Sequence, residues 1–354
     1  MKFSKLFLVA LGSASFLVSC SNEDSTPLES GAYDKGVFIL NEGGDGQGTV
    51  SFVSNDLANF TQDVYGTVNT SDLLGKYAQS MFFSGDNAYI IAGGSNVINV
   101  VNRNTFRLVA KIETGFANPR YGVVKDGKAY VTNANTYNDY NNSNPAGDID
   151  DYVAVINLTT NSVESTIPLN ATANRILLEN GKLYITEPFS NDKVLVVNPA
   201  TNALETPITV GKDADTMEAK DGILYVMRSP YSGSSEIVKV NLSNSNVSAI
   251  SFPSSLSGAK NLDIYNNKIY YTAGTSVYAM DVNDTSASTT AVLSYTSTSD
   301  FGAMYGFAVN NDHIYIAEGG DFKSSSKAYV YSLSGTLEKE LTVGIGPNGF
   351  YFNN

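Results

Sequence analysis

The sequence has a single cysteine, a single histidine and no tryptophan among its 354 residues. One cysteine excludes an internal disulfide, so a folded domain must draw its stability from its own core. One histidine and one cysteine also exclude histidine-rich metal centres and Cys–His catalysis, and they argue against a Ser-His-Asp triad. The histidine, His313, falls in a predicted hairpin turn, where a solvated side chain is expected. Carboxylates are therefore the main resource left for chemistry.

Helical patterning and positive charge are also scarce. No long stretch has apolar residues at helical spacing, whereas Asn, Ser, Thr, Gly and Tyr are abundant, so the composition predicts an all-β protein. Lys and Arg number 22 against 35 Asp and Glu, a formal net charge of −13. This balance argues against nucleic acid and anionic lipid surfaces as partners, since both attract clustered basic residues. The glycine-rich segment 43–48 follows a strand but opens no helix, so it does not predict a phosphate-binding loop.

The N-terminus has the features of a lipoprotein signal peptide. Lys2 and Lys5 precede an apolar run over residues 6–18, which is shorter than the roughly 20 apolar residues that span a bilayer. The run ends in Leu-Val-Ser-Cys, which resembles the lipobox that lipoprotein signal peptidase cuts just before the cysteine. We therefore expect residues 1–19 to be removed and Cys20 to carry the lipids that anchor the protein to a membrane.

Residues 20–33 carry few large apolar groups and are predicted to form a flexible tether before a folded domain over 34–354. The acidic start of the tether, Ser-Asn-Glu-Asp at 21–24, resembles the export signal that directs Bacteroidetes lipoproteins to the outer face of the outer membrane. An ordinary polar tether is the alternative. The motif favours exposure at the cell surface.

A short pattern recurs seven times: a polar turn, an apolar residue, an aromatic residue and a β-branched strand. The recurring aromatic residues are Phe38, Tyr89, Tyr130, Tyr184, Tyr225, Tyr270 and Tyr315. They are 41 to 54 residues apart, a period typical of four-stranded propeller blades. A short strand precedes each copy and a strand pair around a turn follows it. The sequence therefore predicts a seven-bladed β-propeller, with each aromatic ring packed between adjacent blades.

The C-terminus is predicted to close this ring. The first copy lacks a preceding strand, and the last segment, 346–352, matches the strand that precedes another copy, 118–123. Pairing of 350–352 with 37–40 would make the C-terminus the innermost strand of the first blade. Such pairing leaves no open edge between the first and last blades.

Several stretches resemble a known group of propellers. Tyr-Val-Thr-Asn at 130–133 is the signature of the surface-layer YVTN repeats, and residues 36–43, 78–81, 118–121 and 343–347 resemble a Bacteroidetes branch of this group. That branch consists of lipoproteins encoded beside TonB-dependent transporters, and its best-known members bind vitamin B12 at the cell surface. The resemblance implies an outer-membrane location, a TonB-dependent transporter as partner and a corrinoid as cargo. A shared fold alone does not fix the cargo.

The repeat geometry predicts which side chains converge on the central channel. They are those at the starts of the innermost strands and at the ends of the second strands: Gln79, Arg120, Tyr121, Asn174, Arg175, Thr216, Met217, Asn261, Tyr305 and Asn348, together with Asn41, Glu42 and Arg228. Three of the five arginines, Arg120, Arg175 and Arg228, would form a cationic site for carboxylate, phosphate or amide oxygens. The alternative is that these arginines bridge neighbouring blades as ion pairs.

An insertion at 133–152 has no counterpart in the family site. Its tyrosines Tyr137 and Tyr140 are expected to close over a ligand, because tyrosine offers a large contact area at small entropic cost. Its acidic end is the one calcium candidate, since Ca²⁺ takes carboxylate and carbonyl oxygens; these residues are Asp148, Asp150 and Asp151. They lack the spacing of an EF-hand loop, and a polar loop without metal is the alternative. No other cofactor is expected.

Three functions remain at the level of sequence. The leading hypothesis is a non-enzymatic, cell-surface lipoprotein that captures a nutrient for a TonB-dependent transporter. The second is a calcium-dependent propeller hydrolase or lyase, which requires acids from several blades to meet on the axis. The third is an adhesion or scaffold protein that uses the outer faces of the blades.

Overall fold

The computed structural model describes residues 31–135, 149–188, 191–231 and 233–354. The recurring polar turns form tight hairpins within it. Asp126 and Gly127 have φ angles of 50° and 73°, and the residues on either side of them pair directly. Positive φ at both central residues gives a turn whose twist matches that of the flanking strands, and Asn, Asp and Gly tolerate it best. This requirement explains why the repeat begins with these residues.

The chain forms seven antiparallel sheets, and each sheet is one blade. The innermost strands are β4 (Ala78–Ser84), β8 (Pro119–Lys125), β12 (Arg175–Glu179), β17 (Ala214–Lys220), β21 (Lys260–Tyr265), β25 (Gly306–Asn310) and β29 (Pro347–Asn353). The second strands are β1 (Gly36–Asn41), β5 (Asn87–Ala92), β9 (Lys128–Asn133), β13 (Lys182–Thr186), β18 (Ile223–Arg228), β22 (Lys268–Ala273) and β26 (His313–Ala317).

The third strands are β2 (Thr49–Ser54), β6 (Val97–Asn102), β10 (Tyr152–Asn157), β14 (Lys193–Asn198), β19 (Glu236–Asn241), β23 (Ser276–Asp281) and β27 (Ser326–Ser332). The outer edges are formed by β3 (Phe60–Thr61), β7 (Leu108–Ile112), β11 (Ser162–Pro168), β15 (Ala203–Leu204) with β16 (Ile208–Thr209), β20 (Val247–Ser251), β24 (Ala291–Ser294) and β28 (Leu337–Val343). One short α-helix, Val64–Val68, and two 3₁₀ turns, Gly93–Ser95 and Ser254–Leu256, complete the described elements.

The innermost strands contact one another in a closed circle that runs from β29 through β4, β8, β12, β17, β21 and β25 back to β29. Blade 1 therefore consists of β29, β1, β2 and β3, and blades 2 to 7 follow in chain order. The prediction of an all-β, seven-bladed propeller is confirmed.

Seven apolar clusters, one between each pair of neighbouring blades, hold the ring together. Each cluster contains one of the repeat aromatic residues, and all seven of these side chains are 5 % exposed or less. Full burial of a large apolar side chain contributes about 1.5–3 kcal/mol relative to exposure. The repeated aromatic residue is therefore a packing residue, as the sequence predicts.

The C-terminal strand closes the ring with the predicted partner. Strand β29 pairs antiparallel with β1, and Phe350 lies opposite Ile39. The side chain of Asn353 is buried and donates to the Tyr33 carbonyl at 2.5 Å and to the Arg103 carbonyl at 3.1 Å. The closing strand is thus tied both to its own blade and to blade 2.

The boundary of the folded domain lies slightly earlier than predicted. Tyr33, assigned to the tether, is 9 % exposed and packs edge-on against Phe52 with ring centroids 5.1 Å apart. Its backbone N–H donates to the Asn104 carbonyl at 3.0 Å, so it belongs to the core between blades 1 and 2. Among the described residues, no helix has the length and apolar character needed to cross a membrane.

Candidate ligand-binding site

Hydroxyl groups from neighbouring blades fix the starts of the innermost strands. The Ser80 hydroxyl in blade 2 donates to the Arg120 carbonyl at 2.6 Å, and the Thr132 hydroxyl in blade 3 donates to the Asn174 carbonyl at 2.5 Å. Each bond ties one blade to the first residues of the next. The side chains at the strand starts therefore project from a rigid ring, which we call the channel mouth.

A cavity of about 510 Å³ extends from the mouth down the central channel. Eight of the predicted site residues line it: Gln79, Tyr121, Arg175, Thr216, Met217, Asn261, Tyr305 and Asn348. They come from all seven innermost strands or the residues just before them. Convergence of the repeat positions on one cavity is thus a property of the structure.

A groove of about 640 Å³ adjoins the mouth over blades 1 to 3. Among its lining residues, Gln79 and Tyr305 also line the channel, so the groove and the channel adjoin each other. The predicted residues Glu42 and Arg120 line the groove as well. We call the combined space the mouth recess.

Two glycines set the depth of the groove. A Cβ atom at Gly93 would lie 2.8 Å from the Pro119 carbonyl oxygen, and one at Gly94 would lie 2.3 Å from the ring of Tyr77. Contacts this short do not occur between real side chains and backbone, so larger residues would force the loop outward. Asn118 lines the groove together with these two glycines.

A hydrogen-bonded cluster joins the groove to the channel. Asn348 donates to Glu42 at 3.1 Å and to the Ala78 carbonyl at 2.9 Å. Burial raises the pKa of the Glu42 carboxyl, and hydrogen bonds from Tyr305 and Asn348 oppose that rise, as does the nearby charge of Arg120. The mouth therefore holds a carboxyl and a guanidinium in a polar, partly enclosed setting.

Arg175 is held between neighbouring blades. Its guanidinium lies over the ring of Tyr121, 4.7 Å from the centroid, and its Nε atom is 2.8 Å from the Asp215 carboxylate. Burial alone would lower the pKa of Arg175, but the charge and hydrogen bond of Asp215, together with Tyr121 and Tyr351, outweigh burial and raise it. Arg175 thus links blades 3, 4 and 5, which matches the ion-pair alternative in the sequence analysis.

Arg120 occupies a different position. Its Nε atom donates to the Asn174 side chain at 3.1 Å, across the junction of blades 3 and 4, and the side chain lines the groove. Asn174 itself lines neither part of the recess. Asn174, predicted among the ligand-binding residues, instead holds Arg120.

Two further predicted residues lie away from the recess. Arg228 donates to the Lys212 carbonyl at 2.8 Å and to Glu236 at 2.5 Å, both within its own blade. The expected cluster of three arginines is accordingly reduced to Arg120 and Arg175. Asn41 is fully buried and donates to the Thr49 hydroxyl at 3.1 Å, so it stabilises blade 1 from inside.

The structure describes only the ends of the insertion. Tyr137, Tyr140 and Asp148 lie outside the described residues. The carboxylate of Asp151 is 2 % exposed and accepts from the backbone N–H groups of Asn135 at 2.9 Å and Ala173 at 2.7 Å. Both of its oxygen atoms therefore anchor the insertion to the ring.

Asp150 accepts a hydrogen bond from the Asn135 side chain at 2.6 Å. Among the described residues, no three His, Cys, Asp or Glu side chains are grouped closely enough to hold one metal ion. His313 is not simply solvated, because its Nε2 atom lies 2.8 Å from Glu338.

Two acids deeper in the channel were missed by the sequence analysis. Glu218 and Asp263 both line the cavity. Each lies directly opposite the repeat tyrosine of its blade, Tyr225 and Tyr270 respectively. The same position in the other five blades is apolar: Tyr351, Phe82, Val123, Leu177 and Ala308. Aligning the innermost strands on the tyrosine would have revealed these two exceptions.

The acid pair, Glu218 and Asp263, is electrostatically unfavourable when both groups are charged. Burial, and then the charge of Asp263, raise the pKa of Glu218 to about 8, while Arg175 lowers it in part. Burial also raises the pKa of Asp263, although the backbone N–H groups of Val309 and Ile264 oppose this rise. Two carboxyls in one enclosed space do not ionise together readily, so the pair retains a proton near neutral pH.

Comparisons with known proteins agree with this architecture. A family model described as a domain of unknown function matches residues 35–352. Of the solved structures, a quinonprotein alcohol dehydrogenase-like protein from Bacteroides thetaiotaomicron is similar at 18% identity and a TM-score of 0.68, over 91% of this chain and 79% of that one.

The hydrazine synthase of Kuenenia stuttgartiensis is similar at 12% identity and a TM-score of 0.63, over 78% of this chain and 92% of that one. Identities this low show the fold alone. No curated protein sequence gives a significant match.

Proposed function

Since the chain belongs to DUF5074, a family described as a domain of unknown function, we propose its function from the mouth recess: the protein captures a small polar ligand there. The observation that carries this proposal is that the groove and the channel adjoin at Gln79 and Tyr305. Each part has a volume within the range of about 300–1,000 Å³ usual for small-molecule sites. Charged, amide and phenolic groups around the recess supply hydrogen bonds in both directions.

The proposed capture function also implies a cellular location and a partner protein. We propose that lipidated Cys20 anchors the protein to the outer membrane, facing the cell surface, and that a TonB-dependent transporter receives the ligand. Of the nine exposed large apolar side chains in the described residues, five lie on loops at the mouth face: Leu73, Tyr77, Ile149, Tyr231 and Phe301. Exposed apolar groups around a binding site favour contact with a partner protein.

The ligand class is proposed from the sequence resemblance. A corrinoid such as vitamin B12 is the first candidate, because the best-known proteins of the resembling branch bind it. A corrinoid would lie over the mouth and insert only part of its structure, since it exceeds the volume of either cavity. Titration of cyanocobalamin, haem and oligosaccharides into the full-length Cys20→Ser protein tests this choice. Absence of cyanocobalamin binding would remove the corrinoid proposal.

Arg120→Ala is expected to weaken cyanocobalamin binding at least tenfold. A hydrogen bond to a charged group contributes about 1.5–3 kcal/mol, and 1.4 kcal/mol corresponds to a tenfold change in Kd. Arg120 lines the groove and donates to the Asn174 side chain at 3.1 Å, so thermal unfolding of the variant is measured alongside to separate lost binding from lost stability. Isothermal titration calorimetry measures the effect. Arg107→Ala, at an exposed position before the outer strand β7, is the matched control; equal affinities for both variants would place the site elsewhere.

Cys20→Ser is expected to move the protein from the membrane fraction to the soluble fraction. The substitution removes the only thiol in the chain, and a thioether-linked lipid cannot form on serine. Fractionation of cells followed by immunoblotting measures the distribution. Ser21→Ala, one residue later, should remain with the membranes. Retention of the Cys20→Ser protein in membranes would contradict the lipoprotein proposal.

A further inference from the structure

The acid pair lies below the mouth recess, within the channel. Thr216 and Asn261 line the cavity at the strand starts, whereas Glu218 and Asp263 follow two residues later on β17 and β21. All four residues line one cavity, Thr216 and Asn261 near its mouth and Glu218 and Asp263 further along the strands. A molecule that entered from the mouth would therefore reach the acid pair after passing Thr216.

The basic residues near this pair do not supply enough positive charge to neutralise both acids. Among the described residues, Arg175 is the only basic residue that lines the cavity, and its Nε atom is already 2.8 Å from Asp215. Lys260, on the same strand as Asp263, donates instead to the Ala303 carbonyl at 3.0 Å. Buried carboxylates are normally neutralised by a proton, a cation or a metal. Here the protein supplies less than one full cation for two acids.

The hydrogen-bonding capacity of the pair is only partly used. Asp263 accepts from the Val309 N–H at 2.7 Å, but within the described residues the half-buried Glu218 carboxyl accepts no hydrogen bond. The Thr216 hydroxyl is buried and has no hydrogen-bond partner. An unpaired buried polar group destabilises the folded protein. A donor-rich group placed between them would satisfy both.

The walls around the pair select the kind of cation. Leu262, Phe307, Phe350 and Phe352 line the same cavity, so the acids face apolar and aromatic surface across the channel. A calcium ion takes six to eight oxygen ligands, and among the described residues no three His, Cys, Asp or Glu side chains are grouped closely enough to hold a metal ion. An ammonium group needs only two or three acceptors, and its carbon chain would contact the apolar wall.

We propose that the acid pair binds the ammonium group of a small organic amine that enters the channel from the mouth. The carboxylates of Glu218 and Asp263 accept hydrogen bonds from the ammonium, and the hydrocarbon part of the amine packs against the phenylalanine side chains. This site does not depend on what binds at the mouth recess. It would persist even if the corrinoid proposal failed.

Calorimetric titration of the full-length Cys20→Ser protein at pH 8 tests the proposal. The probes are n-butylamine and putrescine, with n-butanol as the neutral analogue and calcium chloride as the metal probe. The amines are expected to bind and n-butanol to bind at least tenfold more weakly. Glu218→Gln and Asp263→Asn should each weaken amine binding at least tenfold, because each replaces a charged acceptor by a neutral one of the same shape.

Asp221→Asn is the matched control, since it removes an exposed carboxylate from the turn that follows β17. It should leave amine affinity unchanged. Thermal unfolding of each variant confirms that the ring is intact, and either acid variant alone suffices if the other fails to fold. The proposal is overturned if the wild-type protein binds no amine, if n-butanol binds as well, if calcium binds and the amines do not, or if both acid variants bind as tightly as the control.

Discussion

Deletion of residues 346–354 is expected to abolish cooperative unfolding of the propeller near its normal Tm. The deletion removes β29, which covers β1, a strand whose six residues are all buried. It also removes Phe350 from the cluster between blades 7 and 1. Loss of one buried phenylalanine side chain costs about 3–5 kcal/mol, against a total stability of about 5–15 kcal/mol for a typical domain. The strand contributes more than this one residue.

Differential scanning calorimetry and far-ultraviolet circular dichroism measure the loss. Deletion of Asn354 alone is the control, because this residue is exposed and its side chain bonds only to exposed Asn55 and Asn311. The control should melt within a few degrees of the full-length protein. A truncate without 346–354 that melts like the control would show that β29 is dispensable for closure.

The repeat predicted the ring because one local requirement recurs in every blade. A two-residue turn needs a left-handed backbone, and an aromatic residue three or four positions later packs between the sheets. The two features therefore recur together, at the same spacing, in each blade. The missing strand before Val37 then had only one possible source, the unassigned segment at 346–352. The closure of the ring by the C-terminal strand could therefore be predicted by counting the strands of each blade.

Side-chain direction was harder to predict. Arg228 lies at the mouth end of β18, as expected, yet it bonds to Glu236 on the neighbouring strand. The register shifts between Ala214, its partner on β17, and Met217, and such a bulge increases local twist. The position of a residue in the sequence repeat does not reveal this local twist. The repeat therefore predicts at which end of a blade a residue lies, but not the direction in which its side chain points.

The pairing of two acids in the channel also could not be predicted from single residues of the sequence. Neither Glu218 nor Asp263 belongs to a recognisable motif, and they are 45 residues apart in the chain. Their proximity follows from the ring, which places equivalent positions of adjacent blades side by side. Comparing equivalent positions across the seven repeats would therefore identify such site residues from the sequence.

Glu218→Gln is expected to make the propeller more stable than wild type at alkaline pH. In the folded protein, burial and then the charge of Asp263 raise the pKa of Glu218 from its ordinary value of 4.5 to about 8, so the folded chain holds this proton more tightly than the unfolded chain does. The stability that comes from the proton is complete below pH 4.5 and is lost as the pH rises through the folded pKa. Glutamine keeps the neutral form at every pH.

The Tm of the wild-type protein should therefore fall between pH 5 and pH 9 relative to that of the Glu218→Gln protein. One pKa unit corresponds to 1.36 kcal/mol, and we expect a difference of at least about 1.4 kcal/mol in the free energy of unfolding at pH 9. The other charges facing the pair, Arg175 and Asp215, are present in both proteins and cancel in the comparison. Asp221→Asn should follow the wild-type curve at every pH. If Glu218→Gln also ran parallel to wild type, Glu218 would be ionised in the channel at neutral pH, and a cation other than a proton would have to balance it.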